Sequence, residues 1–304
     1  MAPSLPNSPF ALPARAALRA RRAFTILELA VCIAVVTLLL GLLFPALQQG
    51  REAARRVQCS GNLRQIGLAL FLYHDTYGAL PPGWIETGSP PTGWGWASQL
   101  LPQLDQHPLA RQIQFDLPVS AGANALARTQ SLPIFICPSD HVPHAYMLYK
   151  HGYRNFDSPT ASLPPPPSDT ALFELAGASY VGIFGTEHPD ETPGHQGTGV
   201  FLADRPVRLS EIRRGPSHIL LVGERTARQF PSTWVGTDPA GEETPAQVVG
   251  AANYPPNHPD ADETEFSSRH PGGAHFLLGD GHVGFITNDA DRIVYRAQAV
   301  RDLD

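Results

Sequence analysis

The sequence predicts an α+β fold: a long N-terminal helix that crosses a membrane and is packed through its second half on an antiparallel β-sheet with elaborated loops. Three observations predict it. An apolar run extends from Phe24 to Phe44. Apolar residues then recur with helical spacing at Leu63, Ile66, Leu70, Tyr73 and Tyr77. Beyond Gly78 the chain breaks into short apolar runs divided by Pro and Gly, with 31 prolines and 27 glycines in 304 residues. That composition suits short elements and long connections, and a hydrophobic content of 42% is enough to pack a core.

Residues 1–23 carry four arginines (Arg15, Arg19, Arg21 and Arg22) and none of the 28 acidic residues, so the rest of the chain is acidic. An acidic domain is badly matched to phosphate backbones, which excludes nucleic acid as an expected partner. Basic residues ahead of an apolar run place the N-terminus in the cytoplasm and Gln48 onward outside. The run of residues 24–44 is long enough for a hydrocarbon core of roughly 30 Å at ~1.5 Å per residue. It exceeds the apolar region of a secretory signal peptide, which is about 7–15 residues. The expected organisation is a basic leader (1–23), a transmembrane helix (24–47) and an extracytoplasmic α+β domain (48–304), giving a single-pass protein of the cytoplasmic (inner) membrane.

A plain signal anchor fits the length of the run but leaves Glu28 unexplained. An unpaired carboxylate within a spanning helix costs about 2.5–3.5 kcal/mol on insertion scales. Cleavage between Ala23 and Phe24 would place a new amino group just over one turn from Glu28. In a staggered bundle, Glu28 of one subunit would neutralise the amine of the next. The sequence Arg21-Arg22-Ala23-Phe24-Thr25 followed by Glu28 resembles the prepilin cleavage and N-methylation signal. Pro45 matches the proline found near the end of pilin membrane helices. Ala23 departs from the glycine usual before the cut.

The helical face from Leu63 to Tyr77 ends near Gly78, and Pro81-Pro82-Gly83 stops any continuation. Candidate strands follow at Trp94–Leu101, Ile134–Cys137, Ser179–Phe184, Gly199–Leu202 and His218–Val222, with a closing pair at Ala274–Gly279 and His282–Ile286. Residues 157–170 and 236–264 read as surface loops. The segments REAARRVQCSGNLRQIGLALFLYHDTYGALPPGW, ICPSD and RHPGGAHFLLGDGHVGFI are similar to those of the bacterial DUF1559 family, pilin-like proteins that end in an H-x9-DG element. His270, Asp280 and Gly281 stand at that spacing. The resemblance implies architecture and cellular context, and no reaction.

Site chemistry was weighed residue by residue. Cys32 lies in the apolar run, leaving Cys59 and Cys137 free to form one disulfide if the geometry permits. His270 and Asp280 invite an acid–base reading. The simpler reading makes Asp280-Gly281 a two-residue hairpin turn, with His270 bonded to loop backbone at the hairpin base. His275 and His282 are expected as cross-strand neighbours, and His141 with His144 and His188 with His195 are further pairs. Neither HExxH nor paired CxxC occurs, so zinc is not expected. No cofactor is expected, and calcium at the acidic loop Asp260–Glu265 is a weak alternative. Trp84, Trp94 and Trp96 are expected in the core rather than in a sugar platform. The chain shows no nucleophile elbow, Walker loop or dinucleotide fingerprint, and no enzyme is expected.

The expected function is therefore structural. A prepilin peptidase removes residues 1–23, and Phe24, Glu28 and Pro45 then serve assembly with pilin-like subunits of a type II secretion-like (pseudopilin) or cell-envelope structure. The alternative is a signal-anchored exported domain that binds a ligand, polysaccharide or metal without assembling.

Overall fold

The computed structural model describes residues 25–150, 170–228 and 230–302. The arginines of the leader, Ala23, Phe24 and nearly all of the proline-rich stretch at 157–170 lie outside the described residues. The chain divides into two units, residues 1–50 and 51–304. Helix α1 (Ile26–Tyr77) contributes its first part to one and its remainder to the other.

In the first unit α1 begins with a reciprocal cap. Thr25 Oγ1 accepts from the Glu28 backbone N–H at 3.2 Å, and Glu28 Oε2 accepts from the Thr25 N–H at 2.9 Å. This is a capping box, satisfying two amides that the first turn leaves without partners. The large apolar side chains from Ile26 to Leu47 are all exposed, and Pro45 sits inside the helix. Among the described residues, α1 is the one helix long and apolar enough to cross a membrane.

The second unit is α+β, as predicted, with two sheets. The larger has the order β6 (Val249–Ala251), β3 (Tyr180–Gly185), β4 (Leu220–Glu224), β7 (Gly273–Leu278) and β8 (Val283–Thr287). It is antiparallel except between β3 and β6, which run parallel, so it is mixed rather than purely antiparallel. The smaller sheet joins β1 (Ala145–Tyr149), β2 (Ala171–Ala178) and β5 (Ser232–Thr233). One residue, Ser179, separates β2 from β3 and marks the passage from the small sheet to the large. Short helices α2 (His107–Ala110), α3 (Ala125–Arg128) and α4 (Arg292–Gln298) complete the unit.

Leu63, Ile66 and Leu70 of α1 are fully buried as their spacing predicts, whereas Tyr77 is exposed near the helix end. Gly67 brings α1 close to the sheet: a Cβ there would lie 2.7 Å from Leu277 Cδ1. The helix stops at Gly78, whose φ of +80° and amide bond to the His74 carbonyl at 2.7 Å form a left-handed cap. The closing hairpin forms one residue away from the predicted bounds, but its turn differs. The Gly281 N–H reaches the Leu278 carbonyl and the Leu278 N–H reaches the His282 carbonyl, both at 2.9 Å. This is a three-residue loop, Gly279-Asp280-Gly281, with Gly281 left-handed at φ +88°, the arrangement of a turn followed by a glycine bulge.

Three predicted strands are absent. Trp94–Leu101 contains only isolated bridges and a 3-10 turn, Ser98–Leu100, and Ser98 Oγ donates to the Gly95 carbonyl. Residues 134–137 follow Pro133, which opens a second 3-10 turn. Gly199–Leu202 makes one isolated bridge, at Leu202. The three tryptophans nonetheless belong to the core, each indole N–H finding a partner: Glu86 for Trp84, the Leu117 carbonyl for Trp94 and the Val248 carbonyl for Trp96.

Two glycines should respond with opposite signs to the same substitution. Gly281→Ala forces a side chain into a left-handed position, costing about 1–2 kcal/mol, and places a Cβ 2.8 Å from Phe71 Cε2. Gly61→Ala meets nothing within 4 Å inside α1 and should stabilise by about 0.5–1 kcal/mol through helix propensity. Urea midpoints of the full chain in detergent, read from tryptophan fluorescence, test both shifts.

Candidate functional site

Residues from four stretches of chain meet at one buried point. Glu52 and Cys59 are seven apart on α1, two turns, and so share a face. Cys137 opens a tight turn through Asp140, whose N–H bonds the Cys137 carbonyl at 2.9 Å. Glu224 ends β4. His270 precedes β7, which carries His275. The Cys59 and Cys137 sulfurs are bonded, with Cα atoms 5.3 Å apart across 78 positions of sequence.

The His270 ring lies between two carboxylates and is fully buried. Its Nδ1 is 2.5 Å from Glu52 Oε1. Its Nε2 is 3.4 Å from Glu224 Oε1 and 3.4 Å from Cys137 Sγ. Glu224 is held from the other side: Oε2 accepts from the His275 N–H at 2.8 Å, and Oε1 lies 3.1 Å from His275 Nδ1. The two imidazoles meet edge to face at 5.1 Å. Arg55 and Ser139 complete the partners of Glu52, and Arg56 donates to the Pro271 carbonyl while covering the Phe285 ring.

Burial opposes ionisation of all three central groups, but their mutual contacts prevail. Burial would raise Glu224, yet hydrogen bonds and charge from His270 and His275 bring it down to about 2. Burial likewise works against Glu52, and the bonds from His270 and Arg55 leave it below the usual carboxylate range. Burial would lower His270, but the two carboxylates raise it above its ordinary 6.5. The favoured state is an imidazolium between two carboxylates.

The ICPSD segment supplies a second anchor beside the first. Asp140 accepts from Thr226 Oγ1 at 2.7 Å, the Ala227 N–H at 3.0 Å, Ser179 Oγ at 3.2 Å and Arg269 Nε at 3.2 Å. Next to Glu224, Arg225 is fully buried and donates to Ser232 Oγ and to the carbonyls of Val249, Thr264 and Ala246. Burial pulls its guanidinium down to about 10, still well above neutral.

His270 and Asp280 do not form a dyad. His270 is buried before β7, and Asp280 is exposed beyond its far end, six strand residues on, a separation of roughly 20 Å at strand rise. Asp280 instead accepts from the His282 N–H at 3.1 Å, and Gly281 packs beneath Phe71. His275 is registered opposite Phe285 rather than His282. In the acidic loop, Asp262 Oδ1 accepts from the Thr264 N–H and hydroxyl, and Glu265 accepts from the Tyr254 N–H. Glu52, Glu224, Arg225 and His275 were not singled out from the sequence as members of this site. The available signal was weak: Glu52 stands two turns before Cys59, and Glu224-Arg225 closes an apolar strand with adjacent opposite charges.

A family model described as a protein of unknown function (DUF1559) matches residues 48–292. The chain belongs to the DUF1559 family. The matched region of this DUF1559 protein contains every residue of the buried cluster and begins just past the apolar run. No curated protein and no solved structure matches the chain.

The ion cluster fixes a pH profile. Glu224, depressed in the folded state, contributes stability that is present above about pH 4.5 and lost as pH falls toward 2. His270, raised in the folded state, contributes stability that is present below pH 6.5 and lost as pH rises through its folded value. His270→Gln should therefore cost about 3–5 kcal/mol between pH 4.5 and 6.5, the scale of a broken buried ion pair, and progressively less at alkaline pH. Urea midpoints of the full chain and variant across pH 4–9 check this; a cost independent of pH would contradict it.

Proposed function

We propose that this DUF1559 protein is a pilin-like (pseudopilin) membrane protein, cut between Ala23 and Phe24 by a prepilin peptidase. In this reading it is a structural, non-enzymatic component of a type II secretion-like or cell-envelope assembly. It is inserted once in the cytoplasmic membrane with its N-terminus inside, and its partners are the peptidase and pilin-like subunits.

One observation carries the reading: a single carboxylate at the head of an apolar helix whose large side chains, from Ile26 through Leu47, are all exposed. Those side chains suit contact with lipid and with like helices. The capping box accounts for the position of Glu28 but not for its charge, because Gln caps at that position as Glu does. The amine created at Phe24, one turn away, supplies the missing reason for a charge. His270 and Asp280, at opposite ends of β7, support a structural over a catalytic role for the H-x9-DG element.

One feature favours the alternative of an anchored domain that binds a ligand. A cavity of about 420 Å³ is lined by Glu86, Asp190, His195, Thr237 and Glu243, among others. Burial pushes the Asp190 carboxyl up to about 6.

Two linked experiments separate the readings. Mass spectrometry of the N-terminal peptide from native membranes should find it beginning at Phe24 and methylated; an intact leader would leave the signal-anchored domain. Glu28→Gln keeps the cap and membrane insertion but removes the charge. It should abolish co-isolation with like subunits, and co-isolation at the level of the unchanged protein would remove Glu28 as the register-setting charge.

A further inference from the structure

The Cys59–Cys137 bond lies among donors that suit something other than a disulfide. We propose that, once this bond is reduced, Cys59, Cys137, Glu224 and His270 bind a zinc-class divalent cation at a buried tetrahedral site. One donor atom from each of the four lies within 4.8 Å of all the others, and all four residues are buried. Two thiolates, an imidazole and a carboxylate are the donors zinc takes, at about 2.0–2.3 Å, so their mutual separation in a tetrahedron is roughly 3.3–3.8 Å.

Two of those edges already exist. His270 Nε2 stands 3.4 Å from Cys137 Sγ and 3.4 Å from Glu224 Oε1. Loading the site requires the two sulfurs to move apart and the remaining donor pairs, all within 4.8 Å of one another, to settle to tetrahedral separations. The orientation of each ligand is fixed from behind. Glu52 engages His270 Nδ1, the partner that turns the opposite nitrogen toward a metal and increases its basicity. The His275 N–H and Nδ1 hold Glu224, and Arg55 with Ser139 holds Glu52. Glu52 is thus a positioning residue.

These ligands are 46 or more positions apart in every pairing, so no short metal motif announces them. In the bonded state the same polar groups satisfy one another, with the His270 ring standing between the Glu52 and Glu224 carboxylates.

The exchange balances. A dithiol reductant gives two electrons and two protons to the Cys59–Cys137 bond and is itself oxidised to a disulfide. The two thiols then release two protons as the cation binds, together with any proton on His270 Nε2. α1 stays tied to the Cys137 turn in both states, by a covalent bond or by the cation, and the cation would tie it to Glu224 of β4 as well.

The test uses the full chain in detergent micelles, reduced with a trialkylphosphine. This takes its oxygen from water, becoming the phosphine oxide, and leaves no competing thiol. On titration with Co(II), the reduced protein should bind one equivalent, with thiolate-to-cobalt absorption and tetrahedral visible bands; the oxidised protein should show neither. Glu52→Gln should keep the bands and weaken affinity about 10–100-fold, while His270→Gln should lose the tetrahedral spectrum. Cobalt binding that is no stronger in the reduced than in the oxidised protein overturns the proposal, as does a His270→Gln spectrum identical to that of the unchanged chain. Should reduction alone loosen the fold, the unfolding midpoint is measured after reduction with Zn(II) already present. Zinc should raise that midpoint in the reduced protein and leave the oxidised one unmoved, and equal midpoints with and without zinc in the reduced protein reject the site.

Discussion

The ring of His270, closed on both sides by carboxylates from distant parts of the chain, is the interaction on which the larger unit depends. Burying Glu224 alone would cost several kcal/mol, and the imidazolium offsets that cost while also engaging the partly buried Glu52, which Arg55 holds as well. Residues 52, 224 and 270 lie on α1, at the end of β4 and before β7. Their meeting sets the place of α1 on the sheet and the relation of β4 to β7 at once. The adjacent Cys59–Cys137 bond fixes the same helix two turns further on. The packing of Gly67 against Leu277 and of Phe71 over Gly281 then follows along one face of α1.

Strand alternation explains how one short segment serves two buried polar centres. Glu224 and Arg225 are consecutive, so their side chains leave the strand on opposite faces. Glu224 turns to the histidines, and Arg225 to three carbonyls and a serine hydroxyl. Those carbonyls belong to Ala246 and Thr264, outside the strands, and to Val249 at the start of the short edge strand β6. The guanidinium gathers these three carbonyls at the sheet edge, its fixed fork of donors organising short segments around β6. Asp140 does similar work with the opposite charge. Ser179, at the passage between the two sheets, supports both the Cys137 N–H and Asp140. Polar side chains at the junctions, more than long ladders, hold this loop-rich fold in register.

What could be read in advance divides along the same line. α1, β3, β4 and the closing hairpin were legible because their apolar periodicity is local and repeats several times. Trp94–Leu101 was misread as a strand because aromatic alternation at Trp94 and Trp96 imitates one, while Gly95 and Ser98 turn the chain. α4 carried a signal that was passed over: Asp291 accepts from the Ile293 and Val294 amides as an N-cap. β1 and β2 flank the proline-rich stretch and are not among the predicted strands. Of the buried site, Cys59, Cys137 and His270 could be named as isolated residues. Glu52 and Glu224 could not, since a contact between positions 52 and 270 leaves no trace in spacing. A charged residue at the edge of an apolar run marked Glu28 and Glu224, whereas Glu52 stands among Arg51, Arg55 and Arg56 with no such mark.

The acids of α1 have contrasting fates, and the contrast bears on which surface is left for partners. Glu52 is consumed internally: its oxygens engage His270, Arg55 and Ser139, and Arg56 stands at 3.8 Å. Among the described residues Glu28 bonds Thr25, three positions before it, and a bond to that residue neutralises no charge. Asp75, near the other end, is exposed to water, where a carboxylate needs no compensation. A carboxylate in an apolar segment does need it, and nothing in the first turn provides it while the chain is read alone. If residues 1–23 are removed as proposed above, compensation comes either from the amine at Phe24 of the same chain or from that of a neighbour. A self-contained pair would be satisfied in a solitary anchor. A neighbour's amine can be reached only when helices lie side by side in one register, and that difference makes Glu28, rather than any group of the folded domain, the residue at which assembly and solitary anchoring diverge.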